Sequence, residues 1–416
     1  MKLFVGLDVS SDKLDACFLT DTLTILHQGS YANDIEGATQ IKETIVNMFE
    51  QFAFDKVVIG MESTSMYSAH PLIFFHEDED LKNMHCVVTI EDPFKIHNYA
   101  KVFNADKTDT NDAFFIADFL RSERYSHSPL KEEQFLSLQR LTRSRMQLVN
   151  MLVETKQHFI ENLYYKCNTL SRELRDEESL STTVFSTSII ELITSDMGLD
   201  EIARLPLNKL AETLQTLGRG RFKHPEKLAK TIQKAIRSSY RLSPTFETSI
   251  DIVLATLVGQ MRSLEASIKQ LEKGIERIVK AMPEYQCLTS IPGVGLVYAG
   301  GIIAEVGQIE RFENQAKLAK YAGLHWKKSE SGNYKSENTP LTKRGNRYLR
   351  YYLIEAANSV RRHLPEYNEF YRKKYQETPK HQHKRAIVLT ARKFVRLVDT
   401  SLRNHQLYTS PRSVES

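Results

Sequence analysis

Strand patterns are confined to the first third of the 416-residue chain, where they alternate with helical ones. Short apolar runs rich in β-branched and aromatic residues predict five strands, with a turn at Ser10–Asp12 between the first two. The strands are KLFVGLDVS, KLDACFLT, LTILHQGSYAN, KVVIGMEST and HCVVTI, with a helix over DIEGATQIKETIVNMFEQF and another helical stretch between the last two strands. Strands followed by strand–helix alternation indicate an α/β domain over residues 1–128.

The chain from Pro129 onward is predicted to be all-α. Two long segments, 132–165 and 247–282, have amphipathic helical periodicity, the second with apolar positions near heptad spacing. These helices are expected to pair as an antiparallel coiled coil or to dimerise with another chain. The predicted divisions are a coiled-coil linker at 129–284, within it a helical insert at about 180–242 that is broken at LGRGRFKHP, and a C-terminal domain at 285–416.

Composition favours a soluble globular protein, with 41% hydrophobic and 26% charged residues. The sequence has no apolar run that would span a bilayer and no basic-plus-apolar leader, so neither a membrane nor a secreted protein is expected. Cysteines are far apart and lack zinc-site spacing, which predicts reduced thiols in a cytoplasm. They are Cys17, Cys86, Cys167 and Cys287.

Positive charge is concentrated in residues 317–403, although the formal net charge of the whole chain is only +4. The basic segments are KKSESGNYK, TKRGNRYLR, YRKKY and HKRAIVLTARKFVR. A basic C-terminal third beside a near-neutral remainder favours a polyanionic partner such as nucleic acid. The alternative is an ordinary solvated charged face.

Four acidic residues stand where an α/β fold would bring them together. Asp8 and Glu62 each end a buried strand, at the edge where such sheets place their ligands. Asp109 and Asp112 are three residues apart, so a helix would direct both to one face. The alternative for this pair is helix capping, since both carboxylates would lie near the unpaired amides of the first turn. Asp106 is interpreted as a loop residue.

Carboxylates that meet without a basic partner repel one another, and a divalent cation relieves that repulsion. Two magnesium ions about 3.5–4 Å apart would activate a nucleophile and stabilise a leaving oxygen at a phosphodiester. Acids on the first strand, a later central strand and a helix after the sheet are the ligand set of RNase H-like nucleases. The alternative is that each of these acidic residues, considered by itself, has only a structural role.

A Gly-rich segment, LTSIPGVGLVYAGGIIAEVG, begins the C-terminal region. Gly293 and Gly295 lie between two helical stretches, as in a helix-hairpin-helix whose backbone amides hold a phosphate. The alternative is a tight turn without a ligand.

Ser331 follows in a polar loop, within ESG. Cations around this loop would bind a phosphate to which the serine hydroxyl is presented, although serines in polar loops are common. The predicted nucleic-acid-binding cations are Lys327, Lys328, Lys335, Lys343, Arg344, Arg347 and Arg350.

Several motifs in this order resemble the DEDD transposases of the insertion-sequence one-ten family, the group that includes the Piv-type invertases. FVGLDVSSDKLD, GMESTSMY and KTDTNDAFFIADFLR are similar to the family's N-terminal RuvC-like motifs. LTSIPGVG, FENQAKLAKYAGL, ESGN and LTKRGNRYLRYYLIEAA are similar to motifs of its C-terminal transposase domain. The resemblance extends nearly from end to end.

The resemblance implies that Ser331 is the nucleophile of DNA strand transfer and that Asp8, Glu62, Asp109 and Asp112 are catalytic carboxylates that hold Mg²⁺ or Mn²⁺. It implies a covalent serine–DNA intermediate, a released 3′ hydroxyl, donor and target DNA, a bridge RNA, and a homo-oligomer (dimer or tetramer) with a composite site. The expected location is the nucleoid of a prokaryotic cell.

The serine motif departs from the family pattern. Asn333 and Tyr334 stand where the family often has a further serine and an Arg-Gly pair. Ser329 and Ser336 are therefore rival nucleophiles.

Three other functions are compatible with parts of the sequence. A junction nuclease of RNase H-like type would use metal-bound water and would not need Ser331. A nucleic-acid-binding repressor would use the basic region alone. An actin-like ATPase is suggested by GLDVSSDK, but a second Gly-rich phosphate loop is missing from the sequence.

Overall fold

The computed structural model describes residues 1–63, 66–103, 109–125, 131–177, 180, 182–195, 197–326, 330–331, 334–335 and 341–410, with the backbone alone at 109, 110, 330, 331, 334 and 335. The chain divides into two compact units, Met1–Leu130 and Lys131–Ser416. Within the described ranges, no helix is long and apolar enough to cross a membrane.

The first unit has the alternation of strands and helices that the sequence predicts. Its elements are β1 Lys2–Val9, β2 Lys13–Thr20, β3 Ile25–Ala32, α1 Ile35–Phe52, β4 Lys56–Glu62, α2 Ala69–Glu77, α3 Glu79–Asn83, β5 Val87–Glu91, α4 Pro93–Lys101 and α5 Asp109–Arg121. The five predicted strands are thus confirmed.

The five strands form one sheet in the order β3-β2-β1-β4-β5. β2 is antiparallel to β1 and β3, whereas β4 is parallel to β1 and β5 is parallel to β4. This mixed α/β arrangement is compatible with the predicted RNase H-like fold. β1 is the central strand, so residues of both β2 and β4 lie beside its carboxyl end.

Successive residues of β1 bury their side chains on opposite faces of the sheet, as the two-residue period of a strand requires. Leu3, Val5 and Leu7 belong to the core on the α1 and α2 face. Phe4 belongs to the opposite core, which includes Ile116 of α5. The central strand is therefore covered on both sides by helices.

Helix α5 lies against β1 so closely that only glycine fits in the strand. A Cβ atom at Gly6 would be 2.2 Å from the Ala113 carbonyl oxygen and 2.4 Å from the Ala117 nitrogen. Just beyond the other end of α5, Glu123 pairs with Lys2 at the start of β1. Helix α5 consequently runs antiparallel to β1, with its N-terminus at the carboxyl edge of the sheet.

The second unit is mainly helical. Its elements are α6 Glu133–Lys166, α7 Leu170–Asp176, α8 Thr187–Ile193, α9 Leu199–Arg204, α10 Leu207–Leu217, α11 Pro225–Ser238, α12 Pro244–Val279, α13 Pro283–Thr289, α14 Leu296–Val306, a 3-10 turn Ile309–Arg311, α15 Gln315–Tyr321, β6 Glu330–Ser331, β7 Tyr334–Lys335, α16 Arg347–His363, α17 Pro365–Gln376 and α18 Gln382–Arg403.

The long helices α6 and α12 pair in antiparallel orientation. Their bounds agree with those of the two predicted amphipathic segments. Residue numbers fall on α12 as they rise on α6 in three ion pairs. The pairs are Arg145–Glu272 at 2.7 Å, Lys156–Glu265 at 3.3 Å and Lys166–Asp251 at 2.6 Å. One end of this helix pair packs into a core with α7–α11, and the other end packs into a core with α13–α18.

The expectation of an all-α region after Pro129 is wrong at one place. β6 and β7 form a two-stranded antiparallel ladder in which Glu330 lies opposite Lys335 and Ser331 lies opposite Tyr334. Trp326 and Leu341 form a further antiparallel bridge. Strands of two residues are too short to produce an alternating sequence pattern.

We predict that Gly6→Ala destabilises the protein by about 3 kcal/mol, because the new methyl group meets the backbone of α5 rather than a flexible side chain. Urea unfolding followed by circular dichroism measures this free energy. Gly259→Ala is the matched control, since a Cβ there meets nothing within 4 Å and α12 should gain up to about 1 kcal/mol. Equal stability of wild type and Gly6→Ala would contradict the close helix–strand contact.

Candidate functional site

Two of the predicted acidic residues lie at the same edge of the sheet. Gly6 and Leu7 of β1 lie opposite Gly60 and Met61 of β4 in parallel register, and Asp8 and Glu62 each follow by one residue. Both side chains are half-buried. The strand ends thus bring two carboxylates to one edge, as expected from the sequence.

Helix α5 brings the other acidic residues to this edge. Ala113 approaches Gly6, which is two residues from Asp8, and Asp112 immediately precedes Ala113. Asp112 is half-buried. Asp109 is the first residue of α5, and its side chain lies outside the described atoms, as does the whole of Asp106.

The donor set at this edge consists of carboxylate oxygens, which are the ligands that magnesium and manganese prefer. Asp8, Glu62 and Asp112 therefore fit a divalent cation in chemical type. The described side chains, a set that excludes Asp109, contain no group of three or more His, Cys, Asp or Glu residues positioned to hold a metal ion. The metal role of the four acids accordingly stays a prediction.

A fifth acidic residue at this edge was missed in the sequence. Glu91 ends β5 and lies opposite Glu62 in the parallel register of β4 and β5. Its side chain is buried, accepts a hydrogen bond from the Thr89 hydroxyl at 3.0 Å and pairs with Lys95 at 3.3 Å. The signal was present, since HCVVTIE is another apolar strand that stops at an acid.

Gly293 has a structural reason to be glycine. Its φ is +96°, and a Cβ there would lie 3.0 Å from the backbone of Ser359 and Val360 in α16. Gly295 is the N-cap of α14, and a Cβ there would meet nothing within 4 Å. The turn between α13 and α14 thus packs on α16 through Gly293, and phosphate binding by the two glycines stays a prediction.

Ser331 lies in β6, directly opposite Tyr334 of β7. Neither its side chain nor that of Lys335 is among the described atoms, and Lys327 and Lys328 lie outside the described residues altogether. The backbone ladder places the serine in a short hairpin, and its role as nucleophile stays a prediction.

The remaining predicted cations divide into two groups. Lys343, Arg344 and Arg347 are exposed around the start of α16. Arg350 is half-buried, and its Nη1 donates to the carbonyl oxygens of Ala322 at 3.1 Å and Lys343 at 2.9 Å. Burial lowers the pKa of the Arg350 guanidinium. Arg350 therefore supports the backbone that carries its exposed neighbours.

A buried carboxylate fixes the start of α16. Glu305 of α14 is 0% exposed and forms a bidentate pair with Arg143, at 2.7 and 2.9 Å. Its Oε2 also accepts from Asn346 Nδ2 at 2.7 Å. Asn346 caps α16 by accepting from the amides of Tyr348 and Leu349. One carboxylate thus links α6, α14 and the basic end of α16.

The electrostatics of this network favour charged Arg143. Burial lowers the pKa of its guanidinium, but the hydrogen bonds to Glu305 outweigh that effect and the pKa is raised. Arg143 also stacks on the Tyr348 ring, 4.3 Å from its centroid. Lys131 donates to the carbonyls of Ala304 and Glu305, and burial lowers the pKa of its ammonium group to about 7. Sequence reasoning missed this network because its members are far apart along the chain.

Two family models match this chain in the regions just described. A model of the IS110-type DEDD transposases, described as Transposase, matches residues 5–165. A model described as Transposase IS116/IS110/IS902 family matches residues 285–372. Together they span more than half of the sequence.

The curated relatives of this chain are proteins of insertion elements, in agreement with the two family models. The putative mini-circle transposase for IS117 of Streptomyces coelicolor is 22% identical over 78% of this chain and 76% of its own length. The IS116 44.8 kDa protein of Streptomyces clavuligerus is 25% identical over 73% of each chain. The IS1111A transposase of Coxiella burnetii is 34% identical, but over only 27% of this chain and 30% of its own length.

The α/β fold of the first unit and the two family models together identify the chain as an enzyme that acts on DNA. The chain belongs to the IS110 family of DEDD transposases, and the predicted resemblance is thereby confirmed.

We predict that Glu305→Ala destabilises the protein by about 3–5 kcal/mol, because it leaves the Arg143 charge without its partner. Chemical denaturation measures the loss. Glu313→Ala is the control, since Glu313 is exposed and its pair with Lys317 should contribute less than about 1 kcal/mol. Similar losses in both variants would show that Glu305 is not the centre of the network.

We predict different outcomes for two arginines of α16. Arg347→Ala should weaken DNA binding and make the salt dependence shallower by about 0.9 for each phosphate that is no longer neutralised, since its side chain is exposed. Arg350→Ala should instead reduce stability by about 1–3 kcal/mol, because two carbonyls lose their donor. Salt titrations of DNA binding and thermal unfolding separate the two effects. An unchanged salt slope in Arg347→Ala would assign that residue to the fold.

Proposed function

We propose that this transposase cleaves and rejoins DNA at specific sites through a covalent serine–DNA intermediate, with help from a divalent metal and guidance by a bridge RNA. The observation that supports the metal part of the proposal is the contact of α5 with β1, since Ala113, the residue after Asp112, lies against Gly6, two residues before Asp8. Glu62 ends the neighbouring parallel strand. Residues distant in sequence thus share one edge.

The carboxylates at this edge supply only oxygen ligands, so Mg²⁺ or Mn²⁺ is the cofactor we assign. Asp8, Glu62, Asp109 and Asp112 would hold it. The bound metal supplies charge stabilisation at a phosphodiester and lowers the pKa of an attacking hydroxyl.

The serine step follows from the family motif at ESG. The Oγ atom of Ser331 forms a bond to phosphorus, and the bond from phosphorus to the 3′ oxygen breaks. The departing 3′ oxygen takes a proton from solvent, and the serine hydroxyl loses its proton to solvent. The DNA strand remains attached to Ser331 as a phosphoester until a 3′ hydroxyl displaces it.

The remaining parts of the chain have proposed roles that agree with this reaction. The divisions at 128 and 284, the coiled-coil pairing of α6 with α12, and a helix-hairpin-helix at α13–α14 are proposals about organisation. Donor DNA, target DNA, a bridge RNA and further copies of the chain are the proposed partners. Lys343, Arg344 and Arg347 would contact phosphates because they are exposed. The proposed site of action is the nucleoid of a prokaryotic cell.

The proposal predicts a denaturation-resistant protein–DNA adduct when the chain is incubated with labelled donor DNA, the RNA from the element's end and magnesium. Ser331→Ala should abolish the adduct, whereas Ser329→Ala and Ser336→Ala, the matched controls, should keep it. Asp8→Asn should reduce adduct formation at least about 100-fold with an unchanged unfolding midpoint, because neutralisation removes a ligand without adding volume. Denaturing gel electrophoresis of the labelled DNA measures the yield.

Three results would redirect this assignment. Strand cleavage without an adduct, unaffected by Ser331→Ala, would favour an RNase H-like nuclease that uses water. An adduct that disappears only in Ser329→Ala or Ser336→Ala would move the nucleophile to that serine. Full activity of Asp8→Asn would exclude Asp8 from metal binding.

A further inference from the structure

The helical insert contains a cavity of about 750 Å³ between the loop after α10 and the segment that leads into α8. Its volume is within the range of about 300–1,000 Å³ that is usual for ligand sites. Neither the acidic edge nor the serine hairpin includes any of its residues. The cavity is large enough to bind a ligand.

The cationic side chains that line the cavity favour an anionic ligand. Arg219, Arg221 and Lys223 line it on the loop side and are exposed, and His224 follows them. No Asp or Glu occurs in the described lining, and no described acidic side chain forms an ion pair with these three cations. Hydroxyl-bearing residues line the cavity on the opposite segment, at Thr182, Ser186, Thr187 and Ser188.

Two aromatic side chains contribute apolar surface to the cavity. Phe222 is half-buried and lies against Gly218, where a Cβ atom would be 2.4 Å from its ring. Phe185 is also half-buried, and its ring centroid is 5.8 Å from that of Phe159 in the helical core. Both rings are thus held by packing while they contribute to the cavity surface.

The loop that carries the cations is shaped by the end of α10. Arg219 and Gly220 have positive φ values of 53° and 71°. Their amides donate to the carbonyls of Thr216 at 3.0 Å and Gln215 at 2.9 Å, which ends the helix. The backbone therefore presents Arg219 and Arg221 on either side of Gly220 in a fixed turn.

We propose that this cavity binds a nucleotide segment of single-stranded nucleic acid. A base would stack on Phe222, and successive phosphates would pair with Arg219, Arg221 and Lys223. Cations that follow the backbone and aromatic rings that accept bases are the two components of single-strand binding sites. A duplex does not fit this chemistry, because its bases are already stacked and paired.

The proposal extends the proposed function to a second nucleic-acid site but does not rest on the serine chemistry. Its test uses the full-length chain and fluorescein-labelled oligouridine and oligothymidine of about 12 nucleotides, a length within known single-strand site sizes. Fluorescence anisotropy over a salt series gives the affinity and the salt slope. The RNA and DNA probes identify which strand type the cavity prefers.

The test variant replaces the three cations, as Arg219→Ala, Arg221→Ala and Lys223→Ala together. Its affinity should fall at least about tenfold, and its salt slope should decrease by about 2, since each neutralised phosphate of a single strand contributes about 0.7. The control replaces Arg204, Lys209 and Lys230 by Ala, which removes the same charge from exposed positions of the insert outside the cavity. It should bind within about threefold of wild type.

Photocrosslinking with 5-bromouridine or 5-bromodeoxyuridine probes locates the contact independently of affinity. Mass spectrometry should find the crosslink in the peptide containing Phe222, and Phe222→Leu should remove it and weaken binding by about tenfold. Equal losses in the cation variant and the charge-matched control would overturn the proposal, as would crosslinks confined to residues 285–416. Because neither readout requires strand cleavage, failure here and failure of the Ser331 adduct assay are distinguishable.

Discussion

The position of the acidic residues in the first unit depends on one contact between two backbones. Gly6 of β1 lies against Ala113 of α5 so closely that a methyl group would collide with a carbonyl oxygen. The contact is two residues from Asp8 and one residue from Asp112. Main-chain packing therefore sets the separation between the backbone positions of Asp8 and Asp112. Side chains whose backbone is held in this way have little freedom to drift apart.

The second unit solves a comparable problem with a buried charge. Removing a carboxylate from water costs several kcal/mol unless its oxygens are paired, and Glu305 meets that requirement with Arg143 and Asn346. The asparagine is at once a partner of the carboxylate and the N-cap of α16. The start of a helix that carries exposed cations is thereby tied to two distant helices, so its orientation depends on the integrity of the core.

Strands and long helices could be predicted because burial imposes a local pattern on the sequence. The apolar run in KLFVGLDV and the amphipathic pattern of residues 133–166 both reappear in the structure as a buried strand and a long helix. The β6–β7 hairpin could not be predicted, since two-residue strands have no period. Glu91 was missed although its apolar strand stops at an acid, as that of Glu62 does; the local sequence does not contain the strand order that puts the two residues side by side.

The role of a cationic side chain depends on the groups to which its N–H donors are already hydrogen-bonded. Counting charges in a sequence does not reveal those hydrogen bonds. Arg350 and Arg347 lie on the same helix within one basic motif, yet half-buried Arg350 donates to two carbonyls, whereas exposed Arg347 donates only to the hydroxyl of its neighbour Tyr348 among the described contacts. The insert shows the reverse case, because Arg219 and Arg221 lie outside the strongly basic region but line a cavity without a described acidic partner. Affinity for a polyanion should therefore follow the number of uncommitted donors rather than local charge density, since a committed guanidinium must break internal hydrogen bonds before it can bind a phosphate.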